Sequence, residues 1–368
     1  MFKNYRIRDF DFKLVLMVLA LAGIGVVTIG SAEPSLQTKQ LFGVIAGAVL
    51  MIGISFIDYT VYLKLNWLMY IGNLILLILV IAVGDDAGGA QRWLQIGGLK
   101  FQPSETAKIL LILFFAQFIM KYKEKLNTFR MIVSCIVLMF IPWILVEEQP
   151  DLSTSIVLLA VFCVIMFVGG ISYKLIIGVL VVIIPAIAIL VSLALQPDQT
   201  ILEGYQRDRI LAWIYPEEYA NEEAYQQLNS IMAIGSGQLD GKGYKNNEIT
   251  SVKNGNFISE AQTDFIFAVV GEEFGFKGSV AVIVLLFGVA LECVSIAGKA
   301  KDLGGKIIAA SMGGLIAFQG FINIGVATFV LPNTGLPMPF VSYGLTSLMS
   351  LFIGMGVVLN VRLQARRN

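Results

Sequence analysis

The segment SEAQTDFIFAVVGEEFGF, residues 259 to 276, sets Asp264 at the edge of an apolar run and closes that run with Glu272 and Glu273. A carboxylate there can take a proton from an attacking hydroxyl as a bond forms, if a substrate is brought to it. Glu272 is no second partner for such chemistry. On a continuous helix it would stand roughly 12 Å along the axis from Asp264, beyond the roughly 6.5–9.5 Å of an inverting carboxylate pair. Asp264 is therefore a lone base candidate, with helix N-capping as the competing role for an aspartate at this point. The sequence contains no histidine, which removes the usual general base, the usual zinc ligand and every Ser/His or Cys/His nucleophile pair.

Further candidates lie elsewhere in the chain. In FQPSETAK, Pro103 and Ser104 suit a helix start, and the i,i+3 spacing puts Glu105 and Lys108 on one face. Two readings fit: an ionisable pair inside a span, which is a functional candidate, or a capping carboxylate with a lysine snorkelling to the interface. Arg92 beside Trp93, Lys100, and Arg207 and Arg209 in GYQRDRI are either phosphate-binding forks or a solvated rim. Gln319 and Asn323 share one helical face and look inward, to packing or to a cavity. Ser342, in the connection NTGLPMPFVSYG, completes the candidate substrate-binding set.

These residues need a scaffold, and composition says which kind. The 368 residues are 57% hydrophobic and 14% charged, with a mean hydropathy of +0.79, far from the balance of a soluble domain. At about 20 apolar residues per span, the chain reads as an all-α polytopic membrane protein of about ten helices. They fall near residues 12 to 31, 37 to 57, 61 to 83, 104 to 120, 130 to 147, 152 to 170, 173 to 195, 275 to 297, 306 to 331 and 340 to 361. Gly271, Gly275 and Gly278 interrupt the stretch after Asp264, so DFIFAVVG is read as a half-helix dipping in beside a protein-walled cavity.

The connections at 3 to 13, 121 to 130 and 298 to 306 and the tail RLQARRN carry most of the Lys and Arg, which makes them, and both termini, cytoplasmic. Polarity and length gather on the opposite face. The largest connection there, 196 to 264, between spans seven and eight, is read as a folded extracellular cap with amphipathic helices. The first apolar run ends in GSA, which mimics a cleavage site, but it is read as an uncleaved helix. Formal net charge is zero and gives no sign of a nucleic-acid partner. Cys135, Cys163 and Cys293 lie in apolar runs and follow no metal spacing.

Together the segments GAQRWLQIGGLKFQPSETAK, QPDLSTS, YQRDRI, SIMAIGSGQLDGKGY, TDFIFAVVGEEFGF and PNTGLPMPFVSYG resemble, in order and topology, the SEDS family (shape, elongation, division and sporulation) of polytopic peptidoglycan polymerases. YQRDRI and GSGQLDGKG look closer to the elongation members (RodA) than to the division members (FtsW). Three positions depart from the family pattern. Gln262 stands where histidine is common and resembles sporulation-type members, Ser153 stands within QPDLGT, and Leu345 stands within SYGGSS.

The resemblance implies one domain over residues 1 to 368 that joins lipid II units on the outer face of the bacterial cytoplasmic membrane. Asp264 matches the family's essential aspartate, proposed as the base, and Glu105 and Lys108 its charged pair. Implied partners are lipid II, a class B penicillin-binding protein that crosslinks the glycan, and other membrane proteins of the elongation or division complex. An α-linked pyrophosphate leaves as the acceptor's 4-hydroxyl forms a β bond, so one base suffices. The leaving group needs positive charge from Arg207, Arg209, Lys108 or a divalent cation such as Mg or Mn. Ten spans with an intramembrane Glu/Lys pair also describe a lipid II flippase or transporter, and a silent scaffold is the third reading. The gathering of polar residues on one face favours single-sided chemistry.

Overall fold

The computed structural model describes residues 9–86, 91–96, 99–149, 151–196, 204–245, 257–259 and 261–365. Lys3, Arg6 and Arg8, Arg366 and Arg367 of the tail, and 197–203 and 246–256 of the large connection lie outside the described residues.

Among the described residues, ten helices of span length follow one another: α1 (Phe12–Ala32), α2 (Pro34–Ser55), α4 (Asn66–Val83), α5 (Pro103–Lys121), α6 (Phe129–Glu147), α7 (Leu152–Gly169), α8 (Tyr173–Ala194), α11 (Ile266–Lys299), α12 (Leu303–Ala327) and α13 (Leu345–Leu363). Among the described residues, α1, α2, α4, α5, α6, α7, α11, α12 and α13 are long and apolar enough to cross a bilayer. α8, with 22 residues, occupies the place of the seventh span. Short helices α3 (Tyr59–Lys64), α9 (Gly204–Ile214) and α10 (Tyr225–Ser236) lie between them. The protein is an all-α, multi-pass membrane protein.

Start signals are written in the sequence. Pro34 and Pro103 open α2 and α5, where a missing N–H costs nothing. The side chains of Asp11, Asp58, Asp151 and Asp302 accept from backbone N–H groups at the starts of α1, α3, α7 and α12. α5, α12 and α13 form the buried centre. α2 packs along α13, α11 along α12 with α1 beside it, and α7 closes against α12 and α5.

Four boundaries differ from the sequence expectation. The third span is divided at Leu65 into α3 and α4. The ninth stops at Ala327, because Phe329 takes a φ of 62° and Val330 and Leu331 donate back to the Gly325 carbonyl. The tenth starts at Leu345 rather than 340, since Phe340 has a φ of 65° and Pro337 and Pro339 deny the preceding turn its N–H donors. The eighth begins at Ile266 and is broken at Gly275 (φ 62°, ψ −158°), a left-handed φ that glycine tolerates; residues 266–274 are thus a half-helix, as expected. The connection from 84 to 104 carries a small antiparallel sheet, β1 (Asp85–Asp86), β2 (Gln91–Ile96) and β3 (Leu99–Phe101).

Candidate active site

Asp264 is held by its backbone. The Tyr343 N–H donates to the Gln262 carbonyl at 2.9 Å, the Ser342 hydroxyl to the Thr263 carbonyl at 2.5 Å, and the Asn323 amide to the Asp264 carbonyl at 2.7 Å. α11 is capped by Phe265, with no side-chain bond, so Asp264 is not its N-cap residue. The carboxylate faces Gly335, whose φ is +71° and whose Cβ, were one present, would lie 3.1 Å from Asp264 Oδ2.

The loop opposite Asp264 is fixed from below by α12. Asn323 Nδ2 also donates to the Leu336 carbonyl at 2.6 Å, and Gln319 Nε2 to the Pro337 carbonyl at 2.9 Å. One amide therefore sets both walls of the gap. Gln319 Oε1 accepts from Lys108 Nζ at 3.2 Å, and the same ammonium donates to Glu105 Oε1 at 2.8 Å. The pair is deeply buried, with Lys108 at 1% and Glu105 at 3% exposure, which rules out a lysine snorkelling to the interface. A buried ion pair is tolerable when further hydrogen bonds satisfy it, and Gln319 supplies one. The departure at Ser153 has a partner too: its hydroxyl donates to the Thr334 carbonyl in the same loop. Leu345 packs into the space that Gly43 of α2 leaves.

Above these bonds opens a cavity of about 270 Å³ lined by Arg92, Trp93, Glu105, Asp151, Asp264 and Tyr343, among others. β2 brings Arg92 and Trp93 to it, and Arg92 Nε is anchored on the Gln149 carbonyl at 3.0 Å. Asp151 caps α7 with one oxygen and accepts from Gln102 at 3.3 Å and Ser104 at 3.4 Å with the other, tying α5 to α7 in the cavity wall. Burial pushes the Tyr343 phenol up, so it is a neutral hydroxyl at physiological pH.

The candidates thus fall into three groups. Asp264, Glu105 and Arg92 line the cavity. Lys108, Gln319, Asn323 and Ser342 stand behind its wall and hold it. Arg207 and Arg209 lie on α9, which packs on α8, and are not among the described lining residues. Trp93, Gln102, Asp151 and Tyr343 were legible only as members of longer motifs; an Asp before a Ser/Thr-rich helix start and a Tyr between Pro- and Gly-rich turns are the signals that mark the last two. Glu272 and Glu273 serve elsewhere, paired with Lys242 at 3.0 Å and with Ser31. No group of three His, Cys, Asp or Glu that could hold a metal ion occurs among the described residues.

A family model described as Cell cycle protein (FTSW_RODA_SPOVE) matches residues 10–367. The chain belongs to this family. This SEDS chain is 34% identical over 354 residues to the peptidoglycan glycosyltransferase MrdB of Escherichia coli K12, covering 95% of this chain and 93% of that one. It is 33% identical to the probable peptidoglycan glycosyltransferase FtsW of Geobacter metallireducens, over 96% and 95% of the two. Among solved structures it is similar to a chain from a study of polymerization and crosslinking coordinated by a peptidoglycan synthase complex (TM-score 0.78, 29% identity, 96% and 97% coverage). It is also similar to the rod shape determining protein RodA of Thermus thermophilus (TM-score 0.71, 26% identity, 98% of each chain).

Proposed function

We propose that this SEDS protein is a peptidoglycan glycosyltransferase that joins lipid II units into glycan strands, with Asp264 as the general base, in support of cell elongation and shape. The observation that carries the reading is the Asp264 carboxylate in the wall of a polar cavity shared with Arg92. In the reaction, the oxygen of the acceptor's 4-hydroxyl forms a bond to the anomeric carbon of the donor. The bond from that carbon to the pyrophosphate breaks, and its electron pair leaves on the pyrophosphate oxygen. The hydroxyl proton passes to Asp264 in the transition state, as the new carbon–oxygen bond forms. Inversion turns the α linkage into β.

Arg92, a planar fork already oriented by Gln149, suits the leaving pyrophosphate, and the Tyr343 hydroxyl adds a neutral donor. The half-helix 266–274 also borders an apolar recess of about 370 Å³, shared with α1 through Ile24, Val27, Val270 and Phe274; walls of this kind suit a polyprenyl tail. The Lys/Arg-rich connections support a cavity on the outer face of the cytoplasmic membrane with both termini inside, and 196 to 264 as the outer loop of a single domain. The similarity to a synthase complex supports a class B penicillin-binding protein as partner. The test is polymerisation of labelled lipid II by the purified chain with that partner. Long glycan supports the reading; no glycan, with lipid II translocation in vesicles instead, overturns it in favour of a transporter.

A further inference from the structure

A helix broken at Gly275 leaves carbonyls before the break and N–H groups after it without intrahelical partners. Segment 238–243, which follows α10, satisfies them. The Lys242 and Gly243 N–H groups donate to the Glu272 and Glu273 carbonyls at 2.9 and 3.1 Å, while Phe276 and Lys277 donate to the Gln238 and Leu239 carbonyls at 2.8 and 3.3 Å. The approach is close enough to require glycine: a Cβ on Gly241 would lie 2.2 Å from the Glu273 oxygen, and one on Gly275 2.4 Å from the Gly241 nitrogen. The motif GQLDGKG is thus a clasp threaded through the break.

An ion pair joins the clasp to the half-helix. Glu272 is buried at 3% exposure, and Lys242 Nζ reaches its Oε1 at 3.0 Å from a side chain 20% exposed. The far end of the half-helix is the Asp264 turn, pinned by Asn323 and Ser342. Nine helical residues make a rod of about 13 Å, so a tilt at the break is delivered to Asp264. The other cavity walls, on β2, α5 and α7, do not ride on this rod.

We infer that Lys242, through its ion pair with Glu272, is a positioning residue that sets where the Asp264 carboxylate stands against the acceptor. This rests on the polymerase reading above. A positioning role predicts a change in turnover with substrate binding preserved, because misplacement by about 1 Å costs up to a hundredfold in rate.

The experiment compares lipid II polymerisation by the full chain with its transpeptidase partner for wild type, Lys242→Met, Lys242→Arg and the double variant Lys242→Met/Glu272→Gln. In Lys242→Met, kcat falls about tenfold or more while KM stays within about twofold. Lys242→Arg restores most of the loss. The double variant, which removes both charges of the pair, keeps a Tm within about 3 °C of wild type and still shows the kcat defect; it decides the matter if the single variant does not fold. An unchanged kcat in the double variant overturns the inference, as does a loss that tracks Tm and is not restored by arginine. Wild type that makes no glycan overturns the polymerase reading instead, so the two failures are distinguishable.

Discussion

Gly335 faces Asp264 so closely that a β-carbon on it would stand 3.1 Å from the carboxylate oxygen Oδ2. The glycine is needed twice over, since its φ of +71° is also one that side chains rarely adopt. Gly335→Ala therefore costs only about 1–2 kcal/mol of backbone strain but displaces the Asp264 carboxylate. The expected result is a fall of about tenfold to a hundredfold in kcat with a small change in Tm, read by polymerisation and thermal unfolding of the same preparation.

Asn323 is the hinge-pin of the site, because one buried amide nitrogen serves the Asp264 and Leu336 carbonyls together. Asn323→Leu leaves both without that donor, and each unsatisfied buried group costs about 1–3 kcal/mol. The variant is expected to lower both Tm and kcat, with Asn323→Gln recovering neither fully because its longer arm cannot reach both carbonyls at once.

The Glu105–Lys108 pair sits in the wall. Lys108→Met alone strands a buried carboxylate and is expected to destabilise by about 3–5 kcal/mol. Adding Glu105→Gln removes the stranded charge and returns part of that loss. A double-mutant cycle on unfolding in detergent checks this; equal destabilisation in the single and double variants contradicts it.

Arg92 is the cation among the described lining residues, held by Gln149 through Nε. Arg92→Lys keeps the charge but loses the fork, so it is expected to behave nearly as badly as Arg92→Ala, each lowering kcat/KM about tenfold or more. Arg207→Ala and Arg209→Ala, on α9 away from the described lining, are expected to have smaller effects.

The spans were legible because apolar runs of bilayer length have no other common meaning, and the half-helix because three glycines punctuate it. Which glycine breaks it was not legible: Gly275 is selected by the clasp threading past it, a contact about 35 residues away in the chain. The β1–β3 sheet escaped notice because its strands are short and lack a clean alternation of polarity. Lys108 and its acceptor Gln319 are 211 residues apart, and pairing at that separation leaves no local signature. Arg207 and Arg209 read as phosphate ligands or as a solvated rim from residue type, which cannot say what α9 packs against. Asp264, by contrast, stood out because an ionisable group beside an apolar run needs a reason.

If Asp264 takes the acceptor proton, the single-turnover rate of glycan formation separates wild type from Asp264→Asn at matched Tm and matched lipid II binding. The amide keeps the shape and loses the basicity. A rate lower by about 10²–10⁴ with binding intact is the predicted result; a rate within about threefold of wild type would exclude Asp264 as the base, because no interaction of general-base size would then have been removed.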